Sequence, residues 1–182
     1  TLRIPIINAG NGIDEHPTQA MADLYTIFKW RPSLALKEVL PKNRIRIGVI
    51  GLPSRMRTVR SLLRILSKFP QILEEVVVIH AAGVESEAPL FDPGQLEELE
   101  ASGVTIRCSS DLAAEIPELD VVYINAIAWV GDSYEVHGSG FRLTRDLPFK
   151  PDAIVLHPLA RGPELSTCMD DTPHNWYFSQ AR

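Results

Sequence analysis

Cysteine is scarce: Cys108 and Cys168 are the only two in 182 residues. They lie far apart and form no paired motif, which argues against a disulfide framework or a thiolate metal centre. Two reduced thiols remain, each expected to pack in the interior. Long apolar runs are missing as well. No stretch approaches the roughly 18 residues that a membrane-crossing helix needs, and the opening TLRIPIINAGNG carries no signal-peptide hydrophobic region. That opening also lacks methionine, as expected of a processed or excised piece of a longer chain. Excess positive charge is absent too: 18 Lys and Arg stand against 23 Asp and Glu, a formal charge of −5. A general nucleic-acid binder would carry the opposite balance. Low-complexity tracts, charge runs and internal repeats do not occur. The expectation is a cytoplasmic protein with no membrane and no nucleic-acid partner.

What is present is the balance of an ordinary globular domain, 45% hydrophobic and 23% charged, enough to bury a core unaided. Residues 3–9 read as a short buried strand running into the glycine-broken loop Gly10, Asn11, Gly12. After His16 the pattern turns helical. Pro17 suits a first turn, and Ala20, Leu24, Ile27 and Phe28 fall near one face. Pro32 ends that helix, because the residue before a proline avoids the helical region. The polar stretch around Pro41 marks a boundary between two units. Five runs rich in Val or Ile follow, at 45–50, 76–79, 104–106, 121–124 and 153–156. They show little polar alternation, the pattern of strands buried on both faces. Helical stripes lie between them at 56–69, 93–101 and 111–115. Strand and helix in alternation predict an α/β fold with an open, mostly parallel sheet.

In such sheets ligands bind beyond the carboxyl ends of the strands. Segments 51–57, 80–83, 125–130 and 157–161 therefore matter most, and the second of them looks plain. The loop GLPSRMRTVRS lacks the G-x-G-x-x-G fingerprint, and the second strand ends on His80 rather than an acid. A nicotinamide-dependent dehydrogenase fails on both counts. The loop offers instead Arg55, Arg57 and Arg60 around a helix N-terminus. That is a good carboxylate or phosphate site, and equally three solvated arginines. His16, with Gln19 one turn on, is placed to donate to a polarised carbonyl; capping its own loop is the other role open to it. His157, Pro158, Leu159, Ala160 and Arg161 form a proline-containing turn whose free carbonyls can hold an amino group. His80, His137 and His174 have no ligand spacing, so no metal site is read.

The stretches INAGNGIDEHPTQAMADLYTI at 7–27, MRTVRSLLRILSKF at 56–69, LDVVYINA at 119–126 and VLHPLARGPELSTCMDDTPHNWYFSQA at 155–181 together resemble the aspartate and ornithine carbamoyltransferase family. His-Pro-Leu followed by TPH-x-WYF is similar to the aspartate branch; the ornithine branch would show His-Cys-Leu-Pro. The resemblance implies a Rossmann-like three-layer sandwich with helices on both faces. It implies that residues 1–31 are the last strand and linking helix of a carbamoyl-phosphate domain. Residues 32–182 would then be the amino-acid-binding domain, lacking its C-terminal helix. In the implied reaction an amino acid's amino group attacks the carbonyl of carbamoyl phosphate and phosphate leaves. His16 would hydrogen-bond the carbamoyl oxygen, Gln19 hold the carbamoyl nitrogen, and Arg57 grip a substrate carboxylate. Pro158 and Leu159 would position the reacting amino groups with their backbone carbonyls. No metal or organic cofactor is implied, and catalysis would be orientation plus electrostatics. Carbamoyl phosphate and an amino acid are the implied partners, in a homotrimer with a place in pyrimidine biosynthesis. The surface meeting the first domain would be exposed and partly apolar.

Departures from the family pattern carry their own expectations. The family's Ser-Thr-Arg-Thr phosphate loop does not occur in the sequence, so no turnover is expected of this chain alone. Where the aspartate branch has Thr-Arg-x-Gln, this chain has Asn125, Ala126, Ile127 and Ala128. Losing that guanidinium would cost aspartate about 2–5 kcal/mol, so an acceptor with a smaller or apolar side chain is expected. Trp129 would supply an apolar wall or simply pack in the core. Ala160 replaces the proline of a cis Leu-Pro bond, and a remodelled turn is expected there. The rival from another class is a non-catalytic relative that binds ligand or serves as a structural subunit.

Overall fold

The chain was analysed as a computed structural model, which describes residues 5, 7–12, 14–86, 88–125 and 138–182. β1 (Ile45–Ile50), β2 (Leu73–Ile79), β3 (Ile106–Ser109), β4 (Val121–Ile124) and β5 (Ile154–Leu156) form one sheet in the order β3-β2-β1-β4-β5. Every neighbouring pair is parallel. The period-two geometry of a strand sends alternate residues to opposite faces, and both faces are buried. Ile45, Ile47 and Val49 of β1 join Tyr123 and Leu156 on one side. Val77, Ile79, Val122 and Val155 point to the other. This is why the apolar runs show no polar alternation.

Two long helices cover the first face. α1 (Pro17–Trp30) gives Leu24 and Ile27 to its core, and α2 (Arg57–Leu66) gives Val59, Leu62, Leu63 and Leu66. α3 (Gln95–Ala101) adds Leu99. The second face has thinner cover. Leu112 of α4 (Leu112–Glu115), Leu165, Met169 and Tyr177 of α5 (Tyr177–Gln180) pack there. The architecture is therefore the expected open α/β sheet with helical layers on both sides, unequal in depth. Away from the core α1 stays open, with Met21 51% and Tyr25 68% exposed.

The strand order places the ligand crevice. The chain runs outward through β1, β2 and β3, then returns to the far side of β1 with β4. Ligands bind at such a reversal, beyond the carboxyl ends of the strands. β1 lies in the middle of the sheet, and Gly48 is there because nothing larger fits. A Cβ on Gly48 would stand 2.3 Å from Leu119 Cδ1, and Leu119 is itself fully buried. Gly48→Ala should cost about 1–3 kcal/mol through overpacking, read as a lower urea midpoint with an unchanged slope.

Four expectations need correction. β3 is shifted from 104–106 to Ile106–Ser109, because it is an edge strand. Its outward residues Arg107 and Cys108 are exposed, while Val104 is buried in the turn before the ladder. Cys108 is accordingly exposed and Cys168 only half-buried, so neither thiol is interior packing. The second helix is shorter than 56–69, with Met56 outside its first turn and Ser67 at its end. Of the strand expected at 3–9, Pro5 and residues 7–9 are not in a strand, and residues 3, 4 and 6 lie outside the described residues.

Candidate functional site

His16 is the N-cap of α1. Its Nδ1 accepts from the backbone N–H of Gln19 at 3.3 Å, and Thr18 Oγ1 lies 3.4 Å away. An imidazole whose Nδ1 accepts carries its proton on Nε2 when neutral, so the cap leaves a donor free. Both roles considered for His16 are thus compatible. The preceding loop is knitted by Asn11, whose Oδ1 accepts from Glu15 N at 2.9 Å and whose Nδ2 donates to Asp14 at 3.0 Å. His16 N donates to Ser61 Oγ on α2 at 2.9 Å, which fixes the loop to the sheet's helical layer. Gly10 (φ +130°) is where glycine is required. A Cβ there would meet the Arg57 guanidinium at 3.5 Å and the His16 ring at 3.6 Å.

Gln19 stands one turn into α1 and donates from Nε2 to Asp23 Oδ1 at 2.8 Å. Asp23 is fully buried, and loss of solvation pushes its carboxyl up to about 6 against hydrogen bonds from Gln19 and Gln180. Sequence reasoning passed over Asp23, since an acid inside a helix reads as a solvent-facing residue.

The three arginines of the β1 loop part company. Arg57 donates from Nη1 to the carbonyl of Gly12, bringing α2 against the His16 loop. Arg55 is exposed at the rim of the same pocket. Arg60 is engaged elsewhere, with the carbonyls of Asp14 and Ser54 and, at 2.5 Å, the Asp92 carboxylate. From β4, Asn125 Nδ2 donates to Thr58 Oγ1 at 3.0 Å. Ala126, Ala128 and Trp129 lie outside the described residues.

β5 runs into the turn carrying Pro158 and Leu159. His157 is 1% exposed and organises it. Its N–H donates to Gln180 Oε1 at 2.8 Å, and its Nδ1 accepts from Leu159 N–H at 2.9 Å. The Nε2 proton then goes to Glu164 Oε1 at 2.9 Å. Burial alone would raise the Glu164 carboxyl, but hydrogen bonds from His157 and the Gly162 backbone outweigh it and hold the group below its ordinary value. The Leu159–Ala160 peptide is cis, so the turn keeps the isomer that an alanine was expected to remove.

These parts converge. An open pocket of about 320 Å³ is lined by Gly12, His16, Gln19, Arg55, Arg57, Thr58, Asn125, Pro158 and Leu159 among others. His16, Gln19, Arg57, Pro158 and Leu159 therefore face one space, drawn from α1, the β1 loop and the β5 turn. His80, from the segment that looked plain, lines a separate pocket with Cys108 and Glu85. Among the described residues no three His, Cys, Asp or Glu side chains group closely enough for a metal ion. Nor is any helix of the described residues long and apolar enough to cross a membrane.

Comparison with known proteins gives the same picture. Residues 43–182 match the family described as aspartate/ornithine carbamoyltransferase, Asp/Orn binding domain. Residues 1–29 match its carbamoyl-P binding domain. The chain is similar to the aspartate carbamoyltransferase catalytic subunits of Vibrio campbellii (34% identity over 98% of this chain and 54% of that protein) and Ignicoccus hospitalis (36%, 97% and 55%). It thus spans about half the length of the curated relatives it matches. Among solved structures it resembles Trypanosoma cruzi aspartate transcarbamoylase in complex with carbamoyl phosphate and aspartate. The TM-score is 0.75 at 30% identity, covering 97% of this chain and 54% of that one.

Proposed function

We propose, for a chain that belongs to the aspartate/ornithine carbamoyltransferase family, that it forms the acceptor side of a site transferring the carbamoyl group of carbamoyl phosphate to an amino acid. The observation that carries this reading is the pairing, at the start of α1, of a donor and an acceptor that both line the pocket. His16 offers Nε2–H, and Gln19, its amide nitrogen held by Asp23, offers Oε1. A carbamoyl group presents the complementary pair, a carbonyl oxygen beside an N–H₂. Negative charge gathers on that oxygen as the amine attacks, so the His16 donor acts most strongly in the transition state. The carbonyls of Pro158 and Leu159 accept from the attacking amine and the carbamoyl nitrogen, and Arg57 holds the acceptor's carboxylate. The new C–N bond forms to give a tetrahedral intermediate, the C–O bond to phosphate then breaks, and the departing phosphate takes the proton that the amine gives up. Residues 1–31 are assigned to a carbamoyl-phosphate domain and 32–182 to the amino-acid domain. Phosphate binding is left to the remainder of a complete enzyme, assigned as a cytoplasmic homotrimer in pyrimidine biosynthesis.

Arg55 changes the expectation about the acceptor. A second guanidinium borders the pocket after all, from the β1 loop rather than from position 126, so a dicarboxylate such as aspartate is matched. The experiment is phosphate release from carbamoyl phosphate by the complete enzyme, with aspartate compared against alanine and valine. Turnover with aspartate is expected. Arg55→Gln should raise its KM roughly tenfold or more and leave alanine and valine unchanged. Turnover with the smaller amines alone would return the acceptor to the one expected from Ala126 and Ala128. No turnover, with carbamoyl phosphate still bound, would favour the non-catalytic relative.

A further inference from the structure

We propose that Asp23 is a positioning residue whose buried carboxylate decides which end of the Gln19 amide faces the pocket and, through Gln180, locks that amide to the turn bearing Pro158 and Leu159. The geometry is a single junction. Asp23 Oδ1 accepts from Gln19 Nε2 at 2.8 Å and from Gln180 Nε2 at 2.5 Å. Gln180 Oε1 in turn accepts from His157 N at 2.8 Å. Gln180 is 6% exposed and lies 157 positions along the chain from Asp23, so this contact between amide and acid ties α5 to α1. An ionised carboxylate oxygen can only accept. The Gln19 N–H₂ is therefore turned inward, and Oε1 is left for whatever occupies the pocket.

That orientation has a chemical consequence, which rests on the function proposed above. An acceptor presented beside the His16 donor selects an acyl group bearing N–H over one bearing a methyl group. The site would favour carbamoyl phosphate over acetyl phosphate, because acetyl leaves the Gln19 oxygen desolvated and unpaired. Around Asp23 the titratable neighbour is Tyr123 on β4. Its buried hydroxyl is pushed well above the ordinary range by burial and by the Asp23 charge, and Thr58 of α2 reaches the same hydroxyl. Gln19 and Gln180 do not titrate; His157 stands one hydrogen bond beyond Gln180 and Glu164 two beyond it.

Two variants test the proposal. Asp23→Asn keeps an oxygen where both amides donate and cannot ionise; Asp23→Leu keeps the volume and removes the acceptor. The first readout is the side-chain amide resonances of ¹⁵N-glutamine-labelled protein, which need no activity. In the wild type the Gln19 and Gln180 amides should shift with a midpoint near 6. In Asp23→Asn that titration should vanish while exchange with water stays slow. In Asp23→Leu the Gln19 amide should exchange about tenfold faster or more. The second readout is the ratio of kcat/KM for carbamoyl over acetyl phosphate in the complete enzyme. It should fall roughly tenfold in Asp23→Leu and recover to within about threefold in Asp23→Asn. A folded Asp23→Leu with unchanged Gln19 exchange overturns the proposal. So does a folded Asp23→Leu with an unchanged donor ratio. Should that variant fail to fold, a Gln19 amide still titrating near 6 in Asp23→Asn overturns it as well. A wild type that transfers neither acyl group refutes the function proposed above, while the exchange result still decides what Asp23 does.

Discussion

His16→Ala should lower kcat of the complete enzyme by roughly 10²–10³-fold while changing KM for the amino acid little, the signature of one lost transition-state donor. The ground-state carbamoyl oxygen takes a hydrogen bond of modest value. The tetrahedral oxyanion takes a stronger one, from a donor already aimed and costing no reorganisation. The aim comes from the cap: Nδ1 is occupied by Gln19 N–H, so the free proton sits on Nε2. Capping complicates the substitution, because removing an N-cap acceptor costs about 0.5–2 kcal/mol of stability. His16→Asn separates the two effects. Asparagine caps well but is too short to return the Nε2 donor, so stability should recover and kcat should not. Stopped-time phosphate release for the rates and thermal melts for the fold provide the measurements. A His16→Ala enzyme within fivefold of wild-type kcat would remove His16 from the chemistry and leave it as a cap.

How much of this was legible beforehand follows from where each signal resides. The cores of β1 and β4 were readable because both strands are buried on both faces and so read as short runs rich in Val and Ile. β3 slipped because an edge strand mixes exposed Arg107 and Cys108 with its apolar residues, and the buried Val104 lies before it. His16, Gln19, Arg57, Pro158 and Leu159 came from local motifs, and the strand order gathers them into one pocket. Arg60 shows the limit of such motifs. It stands one turn from Arg57 on the same helix, yet its guanidinium is taken up by Asp14, Ser54 and Asp92. Asp23 shows another limit: half of its meaning is Gln180, which no local pattern connects to it.

The largest stability effect should come from Glu164→Ala, at about 3–5 kcal/mol, a large part of the 5–15 kcal/mol that holds a typical domain together. Glu164 is 1% exposed, and one oxygen, Oε1, accepts from both His157 Nε2 at 2.9 Å and Gly162 N at 2.7 Å. Alanine takes the partner from the buried His157 Nε2–H and the half-buried Gly162 N–H, and it frees the His157 ring that receives Leu159 N–H. The turn carrying Pro158 and Leu159 should loosen with it, so the carbonyls proposed to position the amine should be displaced along with the loss of stability. Glu164→Gln provides the contrast, since both donors meet the same oxygen and an amide oxygen can serve them. It should cost about 1 kcal/mol or less at neutral pH. The two carboxyl states add a pH signature. Glu164 is held below its ordinary value in the fold, so its ionised form contributes stability above the unfolded value. That contribution is lost as pH falls through the lower folded value. Urea melts between neutral pH and pH about 3 should therefore show a steeper acid loss in the wild type than in Glu164→Gln. If alanine and glutamine were equally damaging at neutral pH, the charge itself would matter more than the shared acceptor. The turn would then have to be held by an ionic contact with His157 rather than by two hydrogen bonds converging on one oxygen.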